Sequence, residues 1–150
     1  VQAKWVYSSP ANVISTPATD GKLVFFGNSM GTITAVDLLS GKEEWKFQTQ
    51  GSVFSSPAIA GKQVIVGSGD GWVYCLQTRN GKLIWKHKTD AAVLGSPLIE
   101  NGLVFIGSSD HHFRALDLST GKERWRFGGL NGPVMSKPVI EGDKILFGVW

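Results

Sequence analysis

Short apolar runs alternate with glycine-containing turns along the whole chain. Four β-rich runs of Val, Ile, Leu or Phe end in glycine, at Lys22–Gly27, Gln63–Gly67, Leu103–Gly107 and Lys144–Gly148. Their nearly continuous apolar character predicts strands that are buried on both faces. Asp20-Gly21 and Asn101-Gly102, which precede two of these runs, are strong signals for tight turns. The pattern predicts an all-β protein, and no segment has the periodicity of a helix.

A segment centred on proline precedes each of these apolar runs. The first covers residues 12–19 around Pro17, and the segment recurs around Pro57, Pro97 and Pro138. Because proline cannot donate to a sheet ladder, we expect these segments to form edge strands. The innermost strand of a β-propeller has such a free edge, which lies on the central channel.

A strand, a polar turn that ends in Gly-Lys and a second strand that carries tryptophan recur at a fixed distance. The tryptophans lie 40 residues apart, at Trp5, Trp45, Trp85 and Trp125. Such a period indicates an array of one supersecondary unit. Four short strands per unit are typical of one propeller blade. We therefore predict a β-propeller of four-stranded antiparallel blades, with about three and a half blades and about 15 strands.

The repeat predicts the division of the chain into blades. Residues 1–8 match the outer strand of a preceding blade, and the following ranges are blade 1 (12–48), blade 2 (52–88), blade 3 (92–128) and half of blade 4 (132–150). Closed propellers have at least about four blades, and an open arc would leave unpaired edges. We therefore expect either a piece of a larger protein, which we favour, or copies that associate with each other to close the ring.

Charge and cysteine content narrow the function classes. The net charge of +3 is modest, and the turn lysines Lys42, Lys82 and Lys122 spread much of it around a rim. A nucleic-acid-binding protein would gather its basic residues in a dense patch, so we expect no nucleic-acid partner. No apolar run approaches the roughly 20 residues of a membrane span. The single cysteine, Cys75, excludes an internal disulfide.

The repeated pattern Ala-x-Asp-x-x-Thr-Gly-Lys-x-x-Trp, clearest at Ala115–Trp125, resembles the PQQ-type repeat family. Its members include eight-bladed quinoprotein dehydrogenases and the periplasmic lipoprotein that assists outer-membrane β-barrel assembly. Others are propeller domains fused to kinases or phosphatases. The resemblance covers essentially the whole chain, and it implies a periplasmic or extracytoplasmic location.

The resemblance also implies a docking role for the tryptophans. In the family the indole lies between neighbouring blades, against the motif alanine and the backbone of the turn glycine. The matching residues here are Trp5, Trp45, Trp85, Trp125, Ala35, Ala115, Gly41, Gly81 and Gly121. The middle motif departs from the pattern, with Cys75 for Ala and Gln77 for Asp. We interpret Cys75 as a small buried hydrophobic residue rather than a nucleophile.

No constellation of catalytic residues stands out beyond the repeat. Quinoprotein dehydrogenases hold PQQ over a calcium ion with acidic and amide ligands, whereas the acidic residues here, such as Asp37 and Asp117, fall mostly in turns. We interpret them as turn-capping groups. We therefore predict no catalytic, cofactor-binding or metal-binding residue. A fragment of a PQQ-dependent quinoprotein dehydrogenase is the alternative, and it alone would bring PQQ and calcium.

The loops before each innermost strand and after each second strand are expected on one face of the propeller. Candidate partner-binding residues on this face and the channel are Met30, Asp70, Trp72, Asp110, His111 and Lys137. Met30 and Trp72 are apolar enough to anchor a partner. We therefore predict a non-catalytic interaction scaffold, or a sensory domain of a larger protein, that binds a protein or peptide.

Three departures from the repeat have plain interpretations beside functional ones. His111 and His112 on one strand would point to opposite faces, so they would not share a metal ion. Lys137 stands where other blades carry Thr or Ser; it either presents a cation to an anionic ligand or reaches solvent. His87 replaces a phenylalanine of the outer strand, and we interpret it as a structural variant.

Overall fold

The computed structural model describes residues 1–150 and contains strands joined by turns and loops, with no helix. Three four-stranded sheets and one two-stranded sheet follow one another along the chain, and all neighbouring strands are antiparallel. The predicted all-β propeller architecture is therefore confirmed, with 14 strands rather than 15. The structure offers no helix with the length and apolar character that a membrane crossing demands.

Each complete sheet is one blade whose strands pair in chain order. Blade 1 contains β1 (Ala18–Thr19), β2 (Leu23–Gly27), β3 (Thr32–Asp37) and β4 (Glu43–Gln48). Blade 2 contains β5 (Ala58–Ala60), β6 (Gln63–Gly67), β7 (Trp72–Gln77) and β8 (Leu83–Lys88). Blade 3 contains β9 (Leu98–Glu100), β10 (Leu103–Gly107), β11 (Phe113–Asp117) and β12 (Glu123–Phe127). The two-stranded sheet of blade 4 contains β13 (Val139–Glu141) and β14 (Lys144–Leu146).

Two strand predictions were wrong, both because a strand needs a ladder of backbone hydrogen bonds. Residues 1–8 form no strand, and their contacts with blade 1 run through side chains, such as the Tyr7 hydroxyl on Glu43. The proline segments are strands only after the proline, as in β5 after Pro57. Ahead of that proline, the backbone N–H of Val53 donates to the loop carbonyl of Asn28 in blade 1 rather than to its own sheet.

A bulge in every complete blade places the motif tryptophan. In blade 1, Ala35 pairs with Trp45, but the next residue, Val36, pairs with Glu43, so Glu44 has no partner on β3. The same register shift occurs between Cys75 and Leu76 and between Ala115 and Leu116. A bulge bends its strand and redirects the side chains around it.

The core lies between the sheets rather than within one of them. One apolar cluster joins Phe25 and Ile33 of blade 1 to Val64 and Leu76 of blade 2. A second joins Cys75 of blade 2 to residues of blade 3. All these residues are fully buried. Each blade therefore depends on its neighbours for burial of its apolar faces, as in other repeat arrays.

Each buried tryptophan reaches across to the turn of the next blade. The indole Nε1 of Trp45 donates to the carbonyl oxygen of Thr78 at 2.8 Å, and that of Trp85 donates to Leu118 at 2.8 Å. Trp5 donates to Leu38 in the same way, at 2.9 Å. The ring lies directly on the turn glycine: a methyl group added at Gly81 would come within 2.5 Å of Trp45. These contacts join blade to blade through one ring and one hydrogen bond each.

Trp125 lies next to blade 4, whose two described strands do not include the Gly-Lys turn that covers the equivalent tryptophans in the other blades. It is 41% exposed, whereas Trp45 is 8% exposed. Its ring packs against Phe105 and Phe113 of its own blade, at centroid distances of 6.0 and 6.2 Å. Comparison of substitutions at Trp45 and Trp125 therefore separates the stability that comes from the contact between blades from the stability that any tryptophan at this strand position gives.

We expect Trp45→Ala to lower the free energy of unfolding by about 3 to 5 kcal/mol, because it removes a buried ring and leaves a cavity between blades. Trp125→Ala should cost roughly 1 to 2 kcal/mol, since the ring is already partly in water. Urea unfolding followed by circular dichroism measures both values. Equal losses in the two variants would contradict a contribution specific to the contact between blades.

Candidate partner-binding face

Three equivalent loops lie side by side at one end of the blades. They follow the second strand of each blade and cover residues 28–31, 68–71 and 108–111. Each loop accepts a backbone hydrogen bond from the segment that enters the next blade, from Val53 to Asn28, from Val93 to Ser68 and from Val134 to Ser108. The bonds are 2.9 to 3.1 Å long. The backbone of this loop face is thus fixed by the neighbouring blade.

The fourth residue of each loop adopts a left-handed backbone conformation. Gly31 and Gly71 have φ values of 84° and 85°, and His111 takes the same position with a φ of 64°. The prediction that His111 and His112 lie on a strand was therefore wrong, because both residues precede β11 in the turn. His111 is exposed, and the Nδ1 of His112 lies 2.8 Å from the carbonyl oxygen of Asp110.

Two predicted binding residues, Asp70 and Asp110, turn their carboxylates inward. An Oδ2 atom accepts a backbone hydrogen bond from the preceding inter-blade loop in both, from Gln50 at 3.0 Å and from Asp90 at 3.1 Å. The Tyr74 hydroxyl also donates to Asp70, at 2.7 Å. Both carboxylates hold the loop face together from within.

A buried cation occupies the position of Tyr74 in blade 3. The Arg114 side chain is 1% exposed, and its Nη1 and Nη2 atoms both donate to the Asp110 carboxylate. Its Nε lies 3.3 Å from Glu123 on β12, and Glu123 accepts hydrogen bonds from Arg126. Bidentate pairs of this kind are the strong ones among ion pairs. Arg114 thus ties the loop to two strands of its blade.

Burial alone would raise the pKa of Asp110, but hydrogen bonds from Arg114 and from the backbone of Asp90 outweigh it. The pKa falls from 3.8 to about 2. A group whose pKa is lower in the folded state stabilises that state when ionised. The stabilisation is therefore complete above about pH 5 and is lost as the pH falls toward 2.

The apolar candidates remain accessible on the same face. Met30 stands where the other loops carry Asp70 and Asp110, and its side chain is 67% exposed. Trp72 begins β7 directly after the loop and is partly buried. Lys86 and Lys88 of β8 lie over its ring, with Nζ 4.3 and 5.2 Å from the centroid. Trp72 is therefore a partly exposed aromatic ring with two cations beside it.

Lys137 directly precedes Pro138 in the segment that leads into β13, the inner segment of blade 4, rather than in the loops, and it is exposed. At this position in the other blades, the N–H of Thr16 donates to the hydroxyl of Ser56, and the N–H of Ser56 donates to the hydroxyl of Ser96. An ammonium group has no lone pair to accept the next bond. The chain of hydrogen bonds along the inner segments therefore stops at Ser96.

Two further departures from the repeat lie inside the protein. Burial raises the pKa of the Cys75 thiol to about 12, so the thiolate that a nucleophile requires is absent near neutral pH. The ring of His87 packs toward blade 3, where its Nε2 is buried without a hydrogen-bond partner. Burial lowers the pKa of His87, Glu123 opposes this effect and Arg114 adds to it.

The residues of this chain do not fit PQQ held over a calcium ion. Calcium requires a cluster of oxygen ligands. No group of three or more His, Cys, Asp or Glu side chains is positioned to hold a metal ion. Asp70 and Asp110 accept hydrogen bonds from the strand residues Tyr74 and Arg114, and Asp37 and Asp117 accept hydrogen bonds from their own turns.

The fold and the repeated contacts between tryptophan and glycine define a propeller of the PQQ-like class, which confirms the resemblance found in the sequence. Two overlapping matches to one family model cover residues 2–89 and 29–149. The chain belongs to this family, which is described as outer membrane protein assembly factor BamB. No curated protein sequence matches the chain.

Solved structures share the fold. BamB from Moraxella catarrhalis is 23% identical with a TM-score of 0.85, and the match covers 95% of this chain but 45% of that protein. The computationally designed Ika4 protein is 18% identical with a TM-score of 0.85, over 97% of this chain and 89% of Ika4. The quinohemoprotein alcohol dehydrogenase ADHIIG from Pseudomonas putida is 25% identical with a TM-score of 0.72, over 81% of this chain and 21% of that enzyme. The chain thus spans less than half of the natural proteins that it resembles.

Four residues of this end of the molecule were missed by the sequence reasoning, namely Tyr74, Lys86, Lys88 and Arg114. Arg114 is a cation within the buried stretch Phe113–Leu116 of β11, whose other residues are apolar, and this was the available signal. The two lysines follow each other at alternate positions of β8, which places them on one side of the strand.

We expect Asp110→Asn to lower the free energy of unfolding at pH 7 by about 3 kcal/mol, because it removes the carboxylate that binds both Nη atoms of a buried guanidinium and leaves Glu123 as the remaining counter-ion. The variant should also lose less stability than the wild type between pH 5 and pH 2, with a difference of roughly 1 kcal/mol after allowance for solvent screening. Urea unfolding at several pH values measures both effects. Asp143→Asn, at a highly exposed carboxylate, is the control. Parallel pH profiles of Asp110→Asn and wild type would contradict this assignment.

Proposed function

We propose that this chain is part of a non-catalytic β-propeller scaffold that binds a protein or peptide partner at its loop face. One observation carries the proposal: the backbone of this face is fixed by hydrogen bonds between blades, while Met30 projects from it 67% exposed. An apolar side chain on a rigid backbone loses little conformational freedom on binding, which favours its use as an anchor.

The family supports a protein as the partner. Its description names an outer membrane protein assembly factor, and an assembly factor acts by contact with other proteins. Such a role also favours an extracytoplasmic location, with the partner in the same compartment. Loop residues on a fixed repeat scaffold are the positions where binding specificity ordinarily resides.

The alternative function is that of a fragment of a PQQ-dependent dehydrogenase. The likeness to a quinohemoprotein alcohol dehydrogenase supports it at the level of the fold. The arrangement of the acidic residues speaks against it, since their oxygens are already engaged in turns and loops. Reduction of a dye that depends on added PQQ and calcium would support the alternative, and we expect none.

Two single substitutions test the loop face. One places a negative charge on this face, and the other places a negative charge at the opposite end of β3. Met30 and Leu39 flank β3 at its two ends and are 67% and 88% exposed, so either can be replaced by Glu without disturbing the core. We expect Met30→Glu to reduce capture of the partner from an extract of the source cells by about tenfold, as for an interface anchor. Leu39→Glu should retain it.

Quantitative mass spectrometry of proteins captured by the immobilised chain gives the comparison. Both variants should unfold at the wild-type urea concentration, which keeps folding out of the result. Equal capture by wild type, Met30→Glu and Leu39→Glu would contradict a binding role for the loop face.

A further inference from the structure

The hairpin of β7 and β8 has an exceptional charge. Residues 71–89 contain Arg79, Lys82, Lys86 and Lys88 but no Asp or Glu. The equivalent residues of blade 1, 31–49, contain two lysines and three acidic residues, and those of blade 3, 111–129, contain four basic and two acidic residues. The hairpin thus has a net charge of +4, against −1 and +2 in its counterparts.

The difference arises at positions that carry counter-ions in the other blades. Lys46 lies 3.2 Å from Glu43 on β4, and Arg126 lies 2.8 Å from Glu123 on β12. The equivalent residue of β8 is Leu83, so Lys86 has no carboxylate partner. A second position that is acidic in the other blades is Gln77 in blade 2. Its counterpart in blade 3, Asp117, lies 3.5 Å from Arg124.

The two lysines of β8 gather their charges at one aromatic ring. Lys86 and Lys88 hold their Nζ atoms 4.3 and 5.2 Å from the centroid of Trp72. Neither forms a salt bridge, and Lys88 donates only to the carbonyl oxygen of Asp70, at 3.0 Å. Cations over an aromatic face gain some stabilisation, but the ring leaves their charges unneutralised. An anionic group placed beside them would be attracted to both.

The strand that carries these lysines also has a free edge. β8 is the outermost strand of its sheet and pairs on one side only, with β7. Leu83 and Ile84 at its start are 44% and 39% exposed. An exposed edge of this kind offers backbone donors and acceptors to an added strand.

We propose that the outer edge of blade 2 binds an acidic segment of a protein partner in extended conformation. The segment pairs its backbone with β8, directs carboxylates to Lys86 and Lys88, and covers Leu83 and Ile84 with apolar side chains. The inference deepens the proposed function and rests on it, because it names the chemistry of the partner. A protein segment is favoured over an anionic lipid surface because only a peptide backbone satisfies a strand edge.

A defined peptide tests this edge directly. The probe is a fluorescein-labelled peptide of about eight residues that alternates Glu and Val, the period of an extended strand with one charged side. A peptide with Lys in place of Glu is the control probe. Fluorescence anisotropy at low and physiological salt measures affinity, and hydrogen exchange reports protection of residues 83–88 against 43–48 and 123–127.

The matched variants are Lys86→Glu/Lys88→Glu and Lys42→Glu/Lys122→Glu, which change the net charge equally. The second pair alters exposed turn lysines of blades 1 and 3. We expect the first pair to weaken binding of the acidic peptide by about tenfold or more and the second by less than about threefold, as for local rather than net charge. Protection from exchange should appear in residues 83–88 only.

Equal weakening by the two pairs, absence of binding to the wild type, or protection outside residues 83–88 would each overturn the inference. So would binding of vesicles of phosphatidylglycerol that depends on Lys86 and Lys88 when the acidic peptide does not bind. Leu39→Glu, at an exposed residue outside both proposed surfaces, should leave the affinity for the peptide unchanged. The loop face and the strand edge are therefore judged by separate results, and the proposed function can stand if the edge fails.

Discussion

The contact of one indole ring with the turn of the next blade underlies the whole structure. A four-stranded blade has two apolar faces and cannot bury either of them alone. Trp45 covers Gly81 of the next blade and donates its only polar hydrogen to the carbonyl oxygen of Thr78. Burial of a large ring and satisfaction of its N–H are thereby achieved by the same contact. Repetition of this contact sets the distance between blades, and the loops inherit their positions from it.

Because the contacts between blades fix their spacing, the residues in and beside the loops can differ from blade to blade, and they differ in matched pairs. Asp70 receives a hydrogen bond from Tyr74, and at the equivalent place in blade 3 Asp110 receives two from Arg114. In blade 1 the loop position is Met30, and the strand residue that would face a carboxylate is Thr34. The loop acid and its donor are thus present together or absent together. Without the acid, the loop of blade 1 presents an apolar side chain instead.

The architecture was predictable from the sequence because its period is a property of the backbone. Tryptophans 40 residues apart and glycines in the turns between strands predict sheets in series, and the sheets are there. The length of the strand at Pro57 was not predictable, since it depends on a hydrogen bond from Val53 to a neighbouring blade. The same holds for Asp110. Its residue type and its place in a loop predict an exposed acid, whereas the direction of its carboxylate is set by the buried Arg114, four residues later.

The charge of blade 2 has no structural explanation in the blade itself. An exposed pair such as Lys46 with Glu43 contributes little to stability because solvent screens it, so the presence of Leu83 in place of Glu costs the fold little. That small cost explains why the acid is dispensable, but it does not explain two further features. Exposed Leu83 and Ile84 add apolar surface at a free strand edge, where aggregation is a hazard. Lys86 and Lys88 protect against such pairing, because they repel another basic edge of the same kind. In the proposed binding mode, the edge discriminates by charge: the lysines disfavour pairing with a second copy of this edge and favour a strand of opposite charge.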